Sequence, residues 1–159
     1  MREIIAVLHN IRSVHNVGSI FRTADAANIS KVWLCGITPK PTDVFGNVRK
    51  DFMKVSLGAE RSVAWEHGAQ TARILKCLKK EGWWLCGVEQ SKKAVSYRKL
   101  AVKHRRRIAL VFGNEVRGIP PSLLKRCDAI ISIPMLGNKE SLNVSVAFGI
   151  VAYAMRLGV

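Results

Sequence analysis

Apolar residues in this chain occur either in short unbroken runs or at helical spacing. The unbroken runs are Ile4–Leu8, Lys31–Cys35, Trp83–Val88, Ile108–Phe112 and Ala129–Ile133. Each reads as a strand, and Ile4–Leu8, β-branched and without clear alternation, is as expected of a strand covered on both faces. Val17, Ile20, Phe21, Ala24 and Ala27 follow the spacing of an amphipathic helix, with Asn16 standing where an N-cap would. Ile74, Leu75 and Leu78 line one side of a second helix over Ala69–Glu81, ended by Gly82. Gly36 closes the second strand, Pro134 stops the last one, and Thr38–Val48 reads as loop. The pattern over Asp51–Glu66 is ambiguous. Alternating strands and helices predict an α/β fold with a mainly parallel sheet flanked by helices. A ligand site belongs at the carboxyl ends of its strands. With 159 residues and no repeat or low-complexity stretch, one domain over 1–159 is expected.

The last segment, Asn143–Arg156, is apolar nearly all round. A helix with no polar face is buried on every side, either in its own core or between two copies, and a homodimer is expected. Its apolar run, Val144–Met155, is shorter than the roughly 20 residues of a bilayer span, and the N-terminus lacks the pattern of a signal peptide. Cys35, Cys77, Cys86 and Cys127 are widely spaced, and the four histidines have no zinc-ligand spacing. Free thiols in a soluble cytoplasmic protein follow, with no membrane association and no metal.

Charge adds a partner. Lys and Arg number 26 against 11 Asp and Glu, for a net charge of +15, which attracts polyanions. Between Gln90 and Asn114 there is no acid, while Lys92, Lys93, Arg98, Lys99, Lys103, Arg105, Arg106 and Arg107 all fall there. Clustering of one sign suits a surface that follows phosphates, although such a run also describes a solvated face. Lys92, Lys93, Arg105, Arg106 and Arg107 are candidate RNA contacts, as are Arg12 and Arg117 beside the motifs described next.

Three stretches follow predicted strands and carry candidate chemistry. In the first, Asn16 to Ala24, Gly18 and Arg22 share a helix face. That would lay the Arg22 guanidinium over bare backbone as an anion pocket. The plainer alternatives are that Asn16 only caps and that Arg22 pairs with Asp25. In the second, Phe112-Gly113-Asn114-Glu115-Val116-Arg117-Gly118, two glycines bracket a turn open to a flat ligand. It is neither a phosphate loop nor a dinucleotide fingerprint, which weakens ATP and NAD readings. Glu115 could act as acid or base, or cap. The third runs from Ile133-Pro134-Met135-Leu136-Gly137 to Ser141-Leu142-Asn143. Ser141 and Asn143 are natural N-caps for the last helix, and no triad spacing supports Ser141 as a nucleophile.

Together these stretches, Asn-x-Gly-x-x-x-Arg-Thr, Phe-Gly-Asn-Glu-x-x-Gly and Ile-Pro-Met-x-Gly-x-x-x-Ser-Leu-Asn, resemble the three signature motifs of the SpoU/TrmH family of RNA methyltransferases, in order and over nearly the whole chain. The resemblance implies a deep C-terminal trefoil knot of the SPOUT type. It implies S-adenosylmethionine held by Gly113, Ile133, Met135 and Leu142, with Glu89 and Gln90 near its ribose, and methyl transfer to a ribose 2′-hydroxyl of RNA. Arg22, Asn16, Ser141 and Asn143 would be the catalytic residues, with Glu115 orienting Arg22 or its loop. Because an arginine does not readily give up its proton, Arg22 is expected to bind a phosphate and stabilise the alkoxide. The chain resembles the minimal members, which favours tRNA as substrate, with rRNA next. A non-catalytic RNA-binding protein on the same fold is the rival reading.

Overall fold

The computed structural model describes residues 2–100 and 104–158, so Lys103 of the basic run lies outside the described residues. Its strands are β1 (Glu3–His9), β2 (Lys31–Cys35), β3 (Trp65–Gly68), β4 (Trp84–Val88), β5 (Val95–Ser96), β6 (Arg107–Phe112) and β7 (Ala129–Ser132). The helices are α1 (Val14–Ala26), α2 (Lys50–Ser56), α3 (Ala59–Ser62), α4 (Thr71–Lys80), α5 (Pro121–Leu124) and α6 (Val144–Leu157). The strands form one sheet in the order β3-β2-β1-β6-β4-β7-β5. Every recorded pairing is parallel.

The unbroken apolar runs have a simple cause. Ile4, Ala6 and Leu8 of β1, with Ile108, Leu110 and Phe112 of β6, join a core that includes α1, α2 and α6. The intervening Ile5, Val7, Ala109 and Val111 join a second core, on the other face, with α4 and α5. Consecutive strand side chains point to opposite faces, so each strand must be apolar throughout. The outer strands differ. β3 pairs only with β2 and exposes Glu66 and His67, which hides it from an apolar search.

Asp51–Glu66 resolves into α2, α3 and the start of β3. Leu57 and Gly58, with φ of 53° and 94°, break the helix after Ser56. Phe52 stacks edge-on against Phe21 at 5.2 Å and fastens α2 to α1. Gly18 belongs to that contact, since a Cβ there would meet the Val55 Cβ at 3.0 Å. The expected bare backbone at Gly18 is therefore covered by α2. The first helix also begins at Val14, a turn early, with Ser13 as its N-cap through a hydrogen bond to the Asn16 amide. Asn16 is inside the helix and its side chain is free for other work.

The last helix is not buried all round. Phe148, Val151, Ala152 and Met155 face the sheet, whereas Val146 (50%) and Leu157 (69%) are exposed. Among the described residues, no helix is long and apolar enough to cross a membrane.

Phe148 is fully buried and meets Phe112 edge-on at 5.3 Å. Phe148→Ala should cost about 3–5 kcal/mol, the usual effect of an emptied aromatic site. Urea unfolding measures it; a loss below about 1 kcal/mol would mean that α6 is not anchored there.

Candidate active site

Glu115 decides how the first and third motifs meet. Its carboxylate accepts the amide N–H of Arg12 at 3.0 Å and of Ser13 at 3.0 Å, at the amino end of α1, and the Asn16 Nδ2 at 3.1 Å. The first turn of α1 contains no acid of its own. Glu115 thus supplies, from a hundred residues away, the negative charge that a helix N-terminus favours. A carboxylate can only accept, so Asn16 must offer its amide nitrogen and turn its oxygen away. That oxygen receives the Asn143 Nδ2 at 3.0 Å. The Asn143 Oδ1 is then left to cap α6 through the Ser145 amide at 2.8 Å. One carboxylate fixes the orientation of two amides and ties the three motifs together.

The segment Gly113 to Ile119 is pinned at its other end by Glu89. The Glu89 Oε2 accepts the Ile119 amide at 2.7 Å, and Oε1 accepts that of Gln90 at 2.9 Å. Gln90 in turn donates to the Ile133 carbonyl at 2.8 Å. Within the turn, the Asn114 Oδ1 accepts the amides of Val116 and Arg117, and its Nδ2 donates to the Asn10 carbonyl at 2.7 Å. Gly113 is required by close approach: a Cβ would lie 2.2 Å from the carbonyl carbon of Gly118. At Gly118, with φ of 64°, it would strike the Glu89 carboxylate.

These contacts enclose a cavity of about 520 Å³ at the carboxyl ends of β4, β6 and β7. All six residues expected to hold a cofactor, Glu89, Gln90, Gly113, Ile133, Met135 and Leu142, line it. So do Asn16, Glu115, Ser141 and Asn143. Sequence reasoning missed Val88, Phe112, Glu140 and Ala147, which also face the space. Glu140 sits inside the third motif next to Ser141, and that position was the available signal. The lining holds three carboxylates, Glu89, Glu115 and Glu140, and among the described residues no Lys, Arg or His. Glu89 is thus as much a brace for the turn as a cofactor contact.

Arg22 is not among the residues lining the cavity; it lies exposed on α1 and, among the described residues, has no side-chain hydrogen bond or ion pair. It neither pairs with Asp25, whose carboxylate accepts from Ser62, nor lies over open backbone. Glu115 does not orient it. Arg12 and Arg117 line a neighbouring depression. Of the basic run, Lys92 and Lys93 are exposed just past β4, on the cavity's side of the sheet. Arg105, Arg106 and Arg107 lie at the start of β6, the opposite end. A connection between parallel strands must cross the sheet's full height, so one run cannot stay at one end. Arg107 is held by Glu3 at 3.1 Å and stacks on Trp83 at 4.3 Å, while Arg105 lies over Trp84. Both are engaged at the amino-terminal end of the central strands. Among the described residues no group of His, Cys, Asp or Glu could hold a metal ion.

A comparison with protein-family models matches residues 3–153 to the SpoU rRNA Methylase family. The chain belongs to that family. It is similar to the 23S rRNA (guanosine-2′-O-)-methyltransferase RlmB of Xanthomonas axonopodis pv. citri, 34% identical over 99% of this chain and 61% of the relative. Among solved structures, an AdoMet-bound rRNA methyltransferase from Sinorhizobium meliloti superimposes with a TM-score of 0.88 at 27% identity, over 99% of this chain and 57% of that one. A structure described as giving insights into the 2-OH methylation of C/U34 on tRNA matches 99% of both chains, with a TM-score of 0.81 and 25% identity. The chain spans from 55% to 61% of the length of the curated relatives it matches. Its seven-stranded parallel sheet is the α/β fold of SpoU methyltransferases.

The Glu115 carboxyl group is raised by burial but lowered further by the amides of Arg12 and Ser13 and by Asn16, and the net effect is a pKa below its ordinary 4.5. A group lowered on folding contributes stability above its unfolded value and loses it as pH falls through the folded one. At pH 7, Glu115→Gln should lower Tm by about 3 °C, near 1 kcal/mol because the carboxylate is partly exposed. Thermal melts from pH 7 downward should show the gap closing below 4.5. A constant gap would mean that the charge is not what holds α1.

Proposed function

We propose that this chain is an S-adenosylmethionine-dependent RNA ribose 2′-O-methyltransferase. The observation that carries the reading is the polarity of the cavity: three carboxylates and no described cation, in a chain of net charge +15. Such a lining repels the phosphates of ATP or NAD and favours a ligand bearing positive charge. A sulfonium with an α-ammonium group is such a ligand. Val88, Phe112, Ile133, Met135, Leu142 and Ala147 give the same space apolar walls suited to a flat base. The residues present therefore fit S-adenosylmethionine, held by Gly113, Ile133, Met135, Leu142 and Gln90. When bound, this cofactor supplies an electrophilic methyl group.

The chain's own groups would position the ribose. Glu115 is ionised at neutral pH and its oxygens are occupied by N–H donors, so it serves as an orienting group rather than a base. Through Asn16 and Asn143 it places two amides at the cavity. Ser141 lines the cavity, and among the described residues its hydroxyl has no hydrogen-bond partner, which leaves Oγ to accept a hydrogen bond from the 2′-hydroxyl. Arg22, exposed on α1 and without an ion pair among the described residues, suits an RNA phosphate.

For the RNA, the expected order of tRNA before rRNA is reversed, because the RlmB relatives, up to 36% identical, are named for 23S rRNA. The tRNA reading keeps the support of the solved structure that matches this chain over 99% of both chains. A homodimer is supported by an apolar stripe along the exposed side of α6, Val146, Tyr153 and Leu157. The trefoil knot is supported by β7, which enters the sheet between the earlier strands β4 and β5. One folding unit is supported by strands that feed both cores. An RNA substrate also agrees with the expected cytoplasmic location.

The test is transfer of label from S-adenosylmethionine to rRNA and tRNA fractions of a host lacking this gene. We expect a labelled 2′-O-methyl nucleoside from rRNA, with transfer slowed about 100-fold or more by Asn16→Ala. Label in tRNA would select the second substrate. No label in any RNA, despite bound cofactor, would favour the non-catalytic RNA-binding reading. Unchanged transfer by Arg22→Ala would remove that residue from the mechanism.

A further inference from the structure

The turn between β2 and α2 displays two large apolar side chains in an ordered setting. Val44 and Phe45 are 89% and 85% exposed. The turn that carries them is well braced. The Asp43 carboxylate accepts the amides of Phe45 at 2.8 Å and Asn47 at 2.9 Å, and the Asp43 amide donates to the Asn47 carbonyl. Thr42 and Val48 form an antiparallel bridge across its base, and Gly46 supplies the positive φ at the tip. No core requires Phe45 to be there, and holding an aromatic ring rigidly in water is unfavourable unless something covers it.

The surface between this turn and the cavity is continuous. The cavity shares Asn114, Val116 and Gly118 with a depression that also contains His9, Arg12 and Arg117. That depression shares Ile37 with a third, which reaches Lys40 and Val44 beside Phe45. Arg12, Arg117 and Lys40 are exposed, and among the described residues their side chains have no ion pair. Asp43 lies on the same path, but its carboxylate is used within the turn, and the bonds from Asn47 hold its pKa below the ordinary value. Ile37 and Val116 offer exposed apolar surface along the way. Free cations flanking apolar and aromatic platforms are the arrangement that binds single-stranded nucleic acid, in which phosphates follow the charges and bases stack.

We propose that the unpaired RNA strand flanking the target nucleotide runs from the cavity past Arg12, Arg117 and Lys40 and stacks a base on Phe45. The proposal rests on the methyltransferase reading in placing the target ribose at the cavity. Phe45 is then a recognition residue that selects RNA with an unpaired flank, and duplex RNA would not engage it.

The test uses fluorescence anisotropy with a fluorescein-labelled single-stranded RNA dodecamer of mixed sequence and a blunt duplex of the same sequence. Phe45→Ala should weaken dodecamer binding about tenfold while changing duplex binding less than about twofold. Phe45→Tyr should restore binding and Phe45→Leu should not, because stacking needs a π face. Arg12→Gln, Arg117→Gln and Lys40→Gln should each flatten the salt dependence by about 0.7 in log–log slope. Equal dodecamer binding by parent and Phe45→Ala, with methyl transfer intact, overturns this inference and leaves the proposed function standing. No RNA binding or methyl transfer by the parent overturns both. Dissociation of a dimer by Phe45→Ala, seen in sedimentation, would show the turn to be a self-interface and overturn the RNA assignment.

Discussion

Two carboxylates hold this site together. Glu115 binds the turn after β6 to the amino end of α1, and Glu89 binds the same turn to the end of β4. Between them the turn is pressed so closely that Gly113 and Gly118 admit no side chain. The rest follows from donors and acceptors. An ionised carboxylate at the start of α1 dictates which way Asn16 points, and Asn16 dictates Asn143, which caps α6. The loops after strands of a parallel sheet are where α/β proteins place ligands. Here their relative position is set by charge-assisted hydrogen bonds rather than by apolar packing.

The same carboxylates give the cavity its character. Their hydrogen bonds are satisfied by the protein, yet their charge still lines the space, joined by Glu140. The molecule thus separates its electrostatics. A negative cavity suited to a cationic cofactor opens on a protein whose excess of Lys and Arg attracts a polyanion. The free cations Arg12 and Arg117 stand beside the cavity rather than within it. The proposed methyl transfer from a sulfonium to RNA would need opposite surroundings for its two substrates, and this arrangement suits both.

Much of the fold was legible because its inner strands are buried on both faces, which leaves unbroken apolar runs at β1, β2, β4, β6 and β7. The elements that escaped notice lie at edges or are short. β3 exposes Glu66 and His67, β5 has only two residues, and α2 ends at a left-handed Leu57 with no proline or charge change to announce it. The start of α1 was misjudged because Asn16 and Ser13 are both good caps, and the distant Glu115 decided between them. Motif resemblance placed every cofactor-contacting candidate at the cavity. It did not place Arg22, or divide the basic run between two ends of the sheet, since both depend on how the chain returns through space. The exposed side of α6 was likewise hidden, because an all-apolar composition does not tell which side packs against the sheet and which stays exposed.

The claim on which this account turns is that the cavity is a cation site in a basic protein. Titration calorimetry of the purified chain with S-adenosylmethionine and with ATP, at one low ionic strength, tests it most directly. The account predicts saturable binding of S-adenosylmethionine that Gly113→Ala abolishes, and no binding of ATP at the cavity. Binding of ATP that S-adenosylmethionine displaces, or cofactor binding untouched by Gly113→Ala, would contradict it.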